Sequence, residues 1–523
     1  MPCQIRWRGA KLPGSMDCAL FVSHYVSALH PALPLPGRAN GRVPRRKWPL
    51  WIAACGLFVA LAPSAARANE PPPGAARVER QDPLSLTRWG PIADTIFSHP
   101  ELALAETKSA EVLARELEKE GFSVVRGVAG MKTGWVATAG HGAPVVGVLA
   151  EYDALPGLSQ KPGIARKEAV LTGAAGHGCG HNLLGTAAVA AAIAANRERS
   201  RRGLAGTIQV FGTPAEEQII GKTFMVRDGL FRGTDVVLAW HPEETTYVYT
   251  RPRLAVTVID VEFMGTTAHA AASPWLGRSA LSALELFDHA VALMREHILP
   301  TARLHRVIKA GGVAANVIPD YTKVQYFVRD ETGTRVRSML DRLRKAADGA
   351  ALASETRSKV TVRAATREPL YNEVLSRVLQ TELDKVGAPA WDAADHELAR
   401  AIQKEVGVPA QGLSPAVLPL SPGHGATASS DVGETSAVVP LAELAVATRP
   451  LGTPAHHWAQ TAAAGHAMGK KGMMVAAKTL AGALSVLLSS PDVVRRARAE
   501  FAGSTAGSPY QSPLASDATP ESW

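Results

Sequence analysis

Residues 176–185 read Gly-His-Gly-Cys-Gly-His-Asn-Leu-Leu-Gly, and no other stretch limits the possible folds and chemistry of this chain as tightly. It sets a thiol, Cys179, and an imidazole, His181, two positions apart in a glycine-rich loop. Glycine lets the backbone bend tightly enough for both side chains to converge. Residues 183–196 (LLGTAAVAAAIAAN) follow at once, and their Ala and Leu content predicts a buried helix. The pair therefore sits at a helix N-terminus, which favours thiolate, the metal-binding form. Taken alone, the stretch fits a glycine-rich turn with an inert buried cysteine just as well. Three further ligand-bearing stretches downstream favour the metal.

The net charge of +9 does not point to nucleic acid. Residues 1–68 hold nine basic residues and one acid, Asp17, while the remaining 455 carry 47 basic and 46 acidic groups. The basic excess therefore belongs to a leader and not to a binding surface. In that leader, residues 42–47 (RVPRRK) are basic and residues 48–61 are apolar but short for a bilayer span. Ala66-Arg67-Ala68 has the small-x-small form of a cleavage site, so export with cleavage after Ala68 is expected. An uncleaved anchor is the alternative. Cys3, Cys18 and Cys55 all fall in the leader, leaving Cys179 alone in the mature chain with no internal disulfide available.

Along the chain, residues 69–82 are Pro- and Gly-rich and read as a linker, and 84–120 carry two helical patterns. Residues 144–150, 207–212 and 235–240 are short apolar runs that read as buried strands alternating with helices. This predicts an α/β catalytic domain with a mainly parallel sheet flanked by helices. Its first part should span 83–250 and its second part 367–488. After residue 250 the order becomes βαββαβ, which predicts an inserted ferredoxin-like α+β domain over 251–366. Its first strand, 254–263, alternates and reads as half exposed. From about Pro369 long helical segments are expected, and the polar residues 489–523 are expected to be disordered.

The polar motifs fall just past the ends of the apolar strands, where open α/β sheets place their ligands. Glu216 and Glu217 follow the 207–212 strand after a proline. Being adjacent, they point in different directions, so one can bind metal while the other acts as a base. A Glu pair is also a common surface feature. His241 closes the third strand, and His456 lies in Gly452-Thr453-Pro454-Ala455-His456. A lone histidine at either place is as often structural. Together Cys179, His181, Glu217, His241 and His456 make five ligands, too many for one catalytic zinc and suited to a pair of ions.

In this order Gly-His-Gly-Cys-Gly-His-Asn, Pro-Ala-Glu-Glu, Ala-Trp-His-Pro, Ala-His-Ala-Ala-Ala-Ser-Pro (268–274) and Asn-Val-Ile-Pro (316–319) resemble the co-catalytic metallo-aminohydrolases. That family includes carboxypeptidase G, aminoacylase and the auxin-conjugate hydrolases. Residues 151–160 (EYDALPGLSQ), Ser-Asp-Val-Gly (430–433) and Gly-Thr-Pro-x-His (452–456) are similar to its aminobenzoyl-glutamate utilization subgroup. The resemblance implies that Cys179, His181, Glu217, His241 and His456 hold two divalent cations, zinc or manganese. It implies Glu216 as general base, and His269 as a group that polarises the scissile carbonyl across a dimer. It implies that Asn316 and Arg329 hold a substrate carboxylate. Asn182 stands where auxin-type relatives have Asp, and Asp431 has no assigned role. The expected activity is hydrolysis of N-acyl or N-aroyl amino acids resembling p-aminobenzoyl-glutamate. A dipeptidase or carboxypeptidase with the same site, or an exported non-catalytic binding protein, are the alternatives. A homodimer is expected, or a hetero-oligomer with a related subunit, with no nucleic-acid partner.

Overall fold

The computed structural model describes residues 82–424, 428–507, 509–514 and 516–520. The leader (1–68), nearly all of the linker (69–82), and Cys3, Cys18 and Cys55 lie outside the described residues. Two helices, α1 (Leu86–Phe97) and α2 (Thr107–Lys119), precede the antiparallel pair β1 (Ser123–Arg126) and β2 (Trp135–His141). Then come β3 (Val145–Ala150), α3 (His181–Arg201), β4 (Gly206–Gly212), α4 (Gly221–Arg227), β5 (Val236–Glu243) and β6 (Tyr247–Val248). The insert follows as β7 (Ala255–Met264), α5 (Ala280–Met294), β8 (Arg303–Ala310), β9 (Tyr321–Asp330), α6 (Gly333–Ala353) and β10 (Arg357–Thr366). The chain returns through α7 (Glu373–Val386), α8 (Ala393–Val406), α9 (Val432–Ser436), β11 (Leu441–Ala447), α10 (Trp458–Ala464), α11 (Ala467–Ser489) and α12 (Pro491–Thr505).

Seven strands form one sheet in the order β1-β2-β4-β3-β5-β11-β6. β4, β3, β5 and β11 run parallel at its centre, while β1 and β2 at one edge and β6 at the other are antiparallel. The central strands are apolar and buried on both faces, as parallel strands covered by helices must be. α3 and α11 pack against each other over the sheet. Their small residues allow close approach: a Cβ at Gly469 would lie 2.6 Å from the Ala463 carbonyl oxygen.

β11 overturns the expectation of unbroken helices after Pro369. Its sequence, LAELAVA, is a short run of Ala and Leu whose periodicity fits helix and strand alike. Pairing between β5 and β6 decides the matter.

The insert is a four-stranded antiparallel sheet in the order β10-β7-β9-β8, with α5 and α6 on one face. Phe263, Phe287, Tyr326 and Leu343 fill its core. This is the split βαβ topology that the element order predicts. β7 is not half exposed, however, since it is buried on both faces. Ile259 and Val261 face α5 and α6, whereas Val256 and Val258 pack with Phe211 and Phe224 of the first sheet's layer.

The expected disorder of 489–523 is also corrected. α12 buries Val494 and Ala497, and the Asn372 side-chain amide donates to the Ala497 carbonyl at 2.9 Å. Beyond it the Tyr510 hydroxyl donates to Glu434 at 2.7 Å, and Leu514 is buried. Composition tests whether a segment can fold alone, and here a few apolar groups dock on a core that others have built.

Candidate metal centre

The Cys179 loop ends in Gly180, the residue before α3, with φ of 80°. That conformation is open to glycine and strained for most side chains. At Gly176 a Cβ would lie 2.0 Å from the Leu158 carbonyl oxygen, so this turn needs glycine for space. The loop places the Cys179 Sγ 3.4 Å from His241 Nε2 at the end of β5. His181, the first residue of α3, is fully buried. Glu216 and Glu217 occupy a single 3-10 turn after β4, entered and left through Ala215 and Ile219 in left-handed conformations. His456 Nε2 lies 3.3 Å from Glu217 Oε2.

Two donor triads result. Cys179, His181 and His241 offer donor atoms within 4.8 Å of one another, and so do Cys179, Glu217 and His456. Cys179 belongs to both, so one sulfur stands between two potential cation positions. The donor set is soft sulfur, imidazole and carboxylate, which suits first-row divalent cations. Buried atoms within it lack partners: His181 Nε2 and Glu217 Oε1 have no hydrogen bond. A bound cation would satisfy both, so the residues present fit a dinuclear site. His456 is the exposed member, with 53% of its side chain accessible, and marks the open side.

Supporting contacts fix the imidazoles. The His181 Nδ1 is 2.8 Å from Asp153 Oδ1, which leaves Nε2 free to face a cation. The other oxygen of Asp153 accepts from the Glu217 amide at 2.9 Å, so one carboxylate orients two donors. His241 Nδ1 lies 3.0 Å from the Pro242 carbonyl oxygen. Glu106 is completely buried and accepts from the Ala215 amide and the Thr133 hydroxyl, pinning the turn that carries Glu216. Sequence reasoning singles out neither Asp153 nor Glu106. Asp153 lies within the 151–160 motif, but Glu106 lies in an ordinary helical pattern and offers no signal.

Burial alone would raise the Cys179 thiol, but the His241 and His181 imidazoles outweigh it and hold it well below its ordinary value. The same contacts act in reverse on the rings. Burial opposes protonation of His241, yet Cys179 raises it to about 10. His181 is raised well above its usual range against burial, by Cys179 and Asp153. Burial, then Cys179, pushes Glu217 up. These are the interactions of donors crowded to share positive charge.

Arg329, on β9, is brought to this centre. Burial lowers its guanidinium, opposed by the nearby Glu216 and Glu217 carboxylates. His269 and Asn316 lie together elsewhere on the insert. The Ala270 amide donates to the Asn316 carbonyl at 3.0 Å, and both side chains are exposed. Among the described residues neither side chain contacts the Cys179 cluster. Asn182 is buried and donates to the carbonyls of Ala464 and Ala93, tying α3 to α10 and α1 away from the donors. A cavity of 520 Å³ runs from Glu217 and Gln218 past Leu104, Met131, Leu155 and Ile220.

The arrangement can hold two cations beside an acid–base carboxylate, the equipment of a hydrolase. The chain matches the sequence pattern of peptidase family M20/M25/M40 over residues 147–466. It is 37% identical over 460 residues to one of the two p-aminobenzoyl-glutamate hydrolase subunits of Escherichia coli (strain K12), covering 83% of this chain and 96% of that one. It is 35% identical over 254 residues to Xaa-Arg dipeptidase of Mus musculus, covering 46% and 55% respectively. In fold it is similar to a dinuclear metal-binding peptidase of the same family from Bacillus subtilis, with a TM-score of 0.51, 18% identity, and 77% and 98% of the two chains covered. Family pattern, overall identity and fold thus agree over most of the chain, which belongs to peptidase family M20/M25/M40 and is a metal-dependent amidohydrolase.

Proposed function

We propose that this chain cleaves the amide bond of N-acyl or N-aroyl amino acids, with p-aminobenzoyl-glutamate the first substrate to test. The observation that carries this reading is the sharing of Cys179 between two donor triads, with Glu216 buried beside them. Cys179, His181, Glu217, His241 and His456 would hold the two cations, zinc or manganese. When bound, these supply Lewis acidity that acidifies water and polarises a carbonyl.

The remaining work falls to side chains. Glu216 takes a proton from the attacking water, oxygen bonds to the carbonyl carbon, and the C–N bond breaks as Glu216 returns the proton to the leaving nitrogen. Arg329 and Asn316 hold the substrate carboxylate, and the cavity beside Glu217 takes the acyl or aroyl group. His269 polarises the carbonyl oxygen from a second subunit. Its Nδ1 accepts from the Ala271 and Ala272 amides, so the neutral ring carries its proton on Nε2, ready to donate. Exposure of His269 and Asn316, and of Val307 and Ile308 on the edge strand β8, supports a homodimer joined through the insert. The Escherichia coli relative is named as one subunit of a hydrolase, so pairing with a related chain is the second arrangement to test. The basic and apolar leader supports export with cleavage after Ala68.

A dipeptidase reading is favoured by the Mus musculus relative. Purified protein, assayed for cation content and against a panel of aroyl-amino acids, acyl-amino acids and dipeptides, separates the two readings. Cleavage of dipeptides alone would overturn the aroyl assignment. Absence of bound cations, with no hydrolysis on adding zinc or manganese, would overturn the function altogether.

A further inference from the structure

Two sequence motifs with no role in the proposed steps meet behind the metal centre. Glu151 follows β3, Asp431 precedes α9, and Lys222 of α4 lies between them. The Lys222 side chain is completely buried, with Nζ 2.6 Å from Asp431 Oδ1 and 2.7 Å from Glu151 Oε1. The Lys222 amide also donates to Asp431 Oδ2 at 2.8 Å. Asp431 therefore grips the lysine at two points, and the lysine grips one oxygen of Glu151.

The other oxygen of Glu151 is the informative atom. Oε2 is buried without a hydrogen bond and lies 3.5 Å from His181 Nε2. Glu216 Oε2 is 3.9 Å from the same nitrogen. Donor atoms of Glu151, His181 and Glu216 all lie within 4.8 Å of one another. The centre of such a triangle is about 2.8 Å from each corner, an ordinary hydrogen-bond length. Two buried carboxylates at this separation repel strongly in a low-dielectric interior. The fixed ammonium behind Glu151 offsets that repulsion, so both can face one point.

The geometry points to Glu151 as a second catalytic carboxylate, which accepts a hydrogen bond from the attacking water while Glu216 takes that water's other proton. Lys222 is the positioning residue that keeps one oxygen of Glu151 free, and Asp431 holds the lysine. Glu151 stays ionised throughout. The proton lost by water travels to Glu216 and then to the amine, as in the steps already proposed, on which this inference rests. The arrangement also gives Asp431 a role that its motif alone does not reveal.

The test compares Glu151→Gln, Asp431→Asn and Glu216→Gln, each measured for bound cations, melting temperature, kcat and KM. Glu151→Gln keeps the side chain's size and an acceptor for Lys222, so it is expected to fold and to keep two cations. Its kcat should fall about 10- to 100-fold, the range for groups that orient a reacting site, with KM within about threefold. Asp431→Asn should lose less than Glu151→Gln, because Lys222 still holds Glu151. Wild-type kcat in Glu151→Gln, with Glu216→Gln inactive, overturns this inference and leaves the base in place. Full activity in Glu216→Gln overturns the base itself. Loss of a cation from Glu151→Gln also overturns the inference, since Glu151 would then be a ligand.

Discussion

The two sheets of this protein carry their chemistry in opposite ways. In the seven-stranded sheet every candidate cation donor comes from one chain, and Cys179, His181 and His241 are buried and braced by neighbours. In the four-stranded insert, His269 and Asn316 stand exposed, and only Arg329 faces the donors. A cation site needs short distances fixed within one packed core. Groups that grip a substrate can arrive from a separate surface. The first half of the machinery is thus complete in one chain, and the second half has the form of something presented to another.

The largest expected effect breaks the first half. Cys179→Ala removes the sulfur common to both triads, and it should abolish both cation binding and hydrolysis, read by metal analysis and by assay. Retention of two cations would show that the shared sulfur is dispensable. Glu216→Gln should keep both cations and lose about 10²–10⁴-fold in kcat, the usual contribution of a general acid–base group.

The next effect sharpens the second half. His269→Ala should cost about 10²–10³-fold in kcat, comparable to loss of one oxyanion donor, with cation content unchanged. Mixed with Cys179→Ala, it should recover part of the activity, because a hybrid dimer pairs one intact metal centre with one intact imidazole. Without recovery, His269 does not act across subunits. Val307→Asp with Ile308→Asp should give a monomer that keeps its cations and loses activity, seen by light scattering and assay.

Smaller effects probe the bracing of the donors. Asp153→Asn should weaken cation binding about 10- to 100-fold by loosening His181 and Glu217, measured by competition with a chelator. Affinity should also depend on pH. Without cations Cys179 holds His241 protonated up to about 10 and raises His181 as well. Binding must displace those protons, so affinity rises with pH, by about tenfold per unit for each proton released. The gain stops for His241 above about pH 10, where its proton is already gone. Calorimetry in buffers of different ionisation enthalpy counts the protons, and a pH-independent affinity would contradict the coupling.

Much of this molecule is legible in the sequence for a physical reason. Apolar runs closed by Gly, Pro and polar residues mark β3, β4 and β5, and the βαββαβ order of the insert follows from periodicity alone. The donors are legible because Cys, His and paired Glu after buried strands are rare and chemically specific. Other elements are not. β11 is too short and too Ala-rich for its period to distinguish strand from helix, and α12 is too polar to declare the core it docks on. The second carboxylate layer escapes for a related reason, since Glu106 and Lys222 look like ordinary helix charges until burial makes them costly.

By itself the sequence determined the list of chemical groups, their order along the strands and the two sheet types, because these depend on residue type and local period. Only the tertiary structure decided that one sulfur serves two triads, that Asp153 orients two donors, and that Asp431 reaches Glu151 through a buried lysine. Those facts depend on distances between residues far apart in the chain, and such distances are set by packing rather than by local pattern.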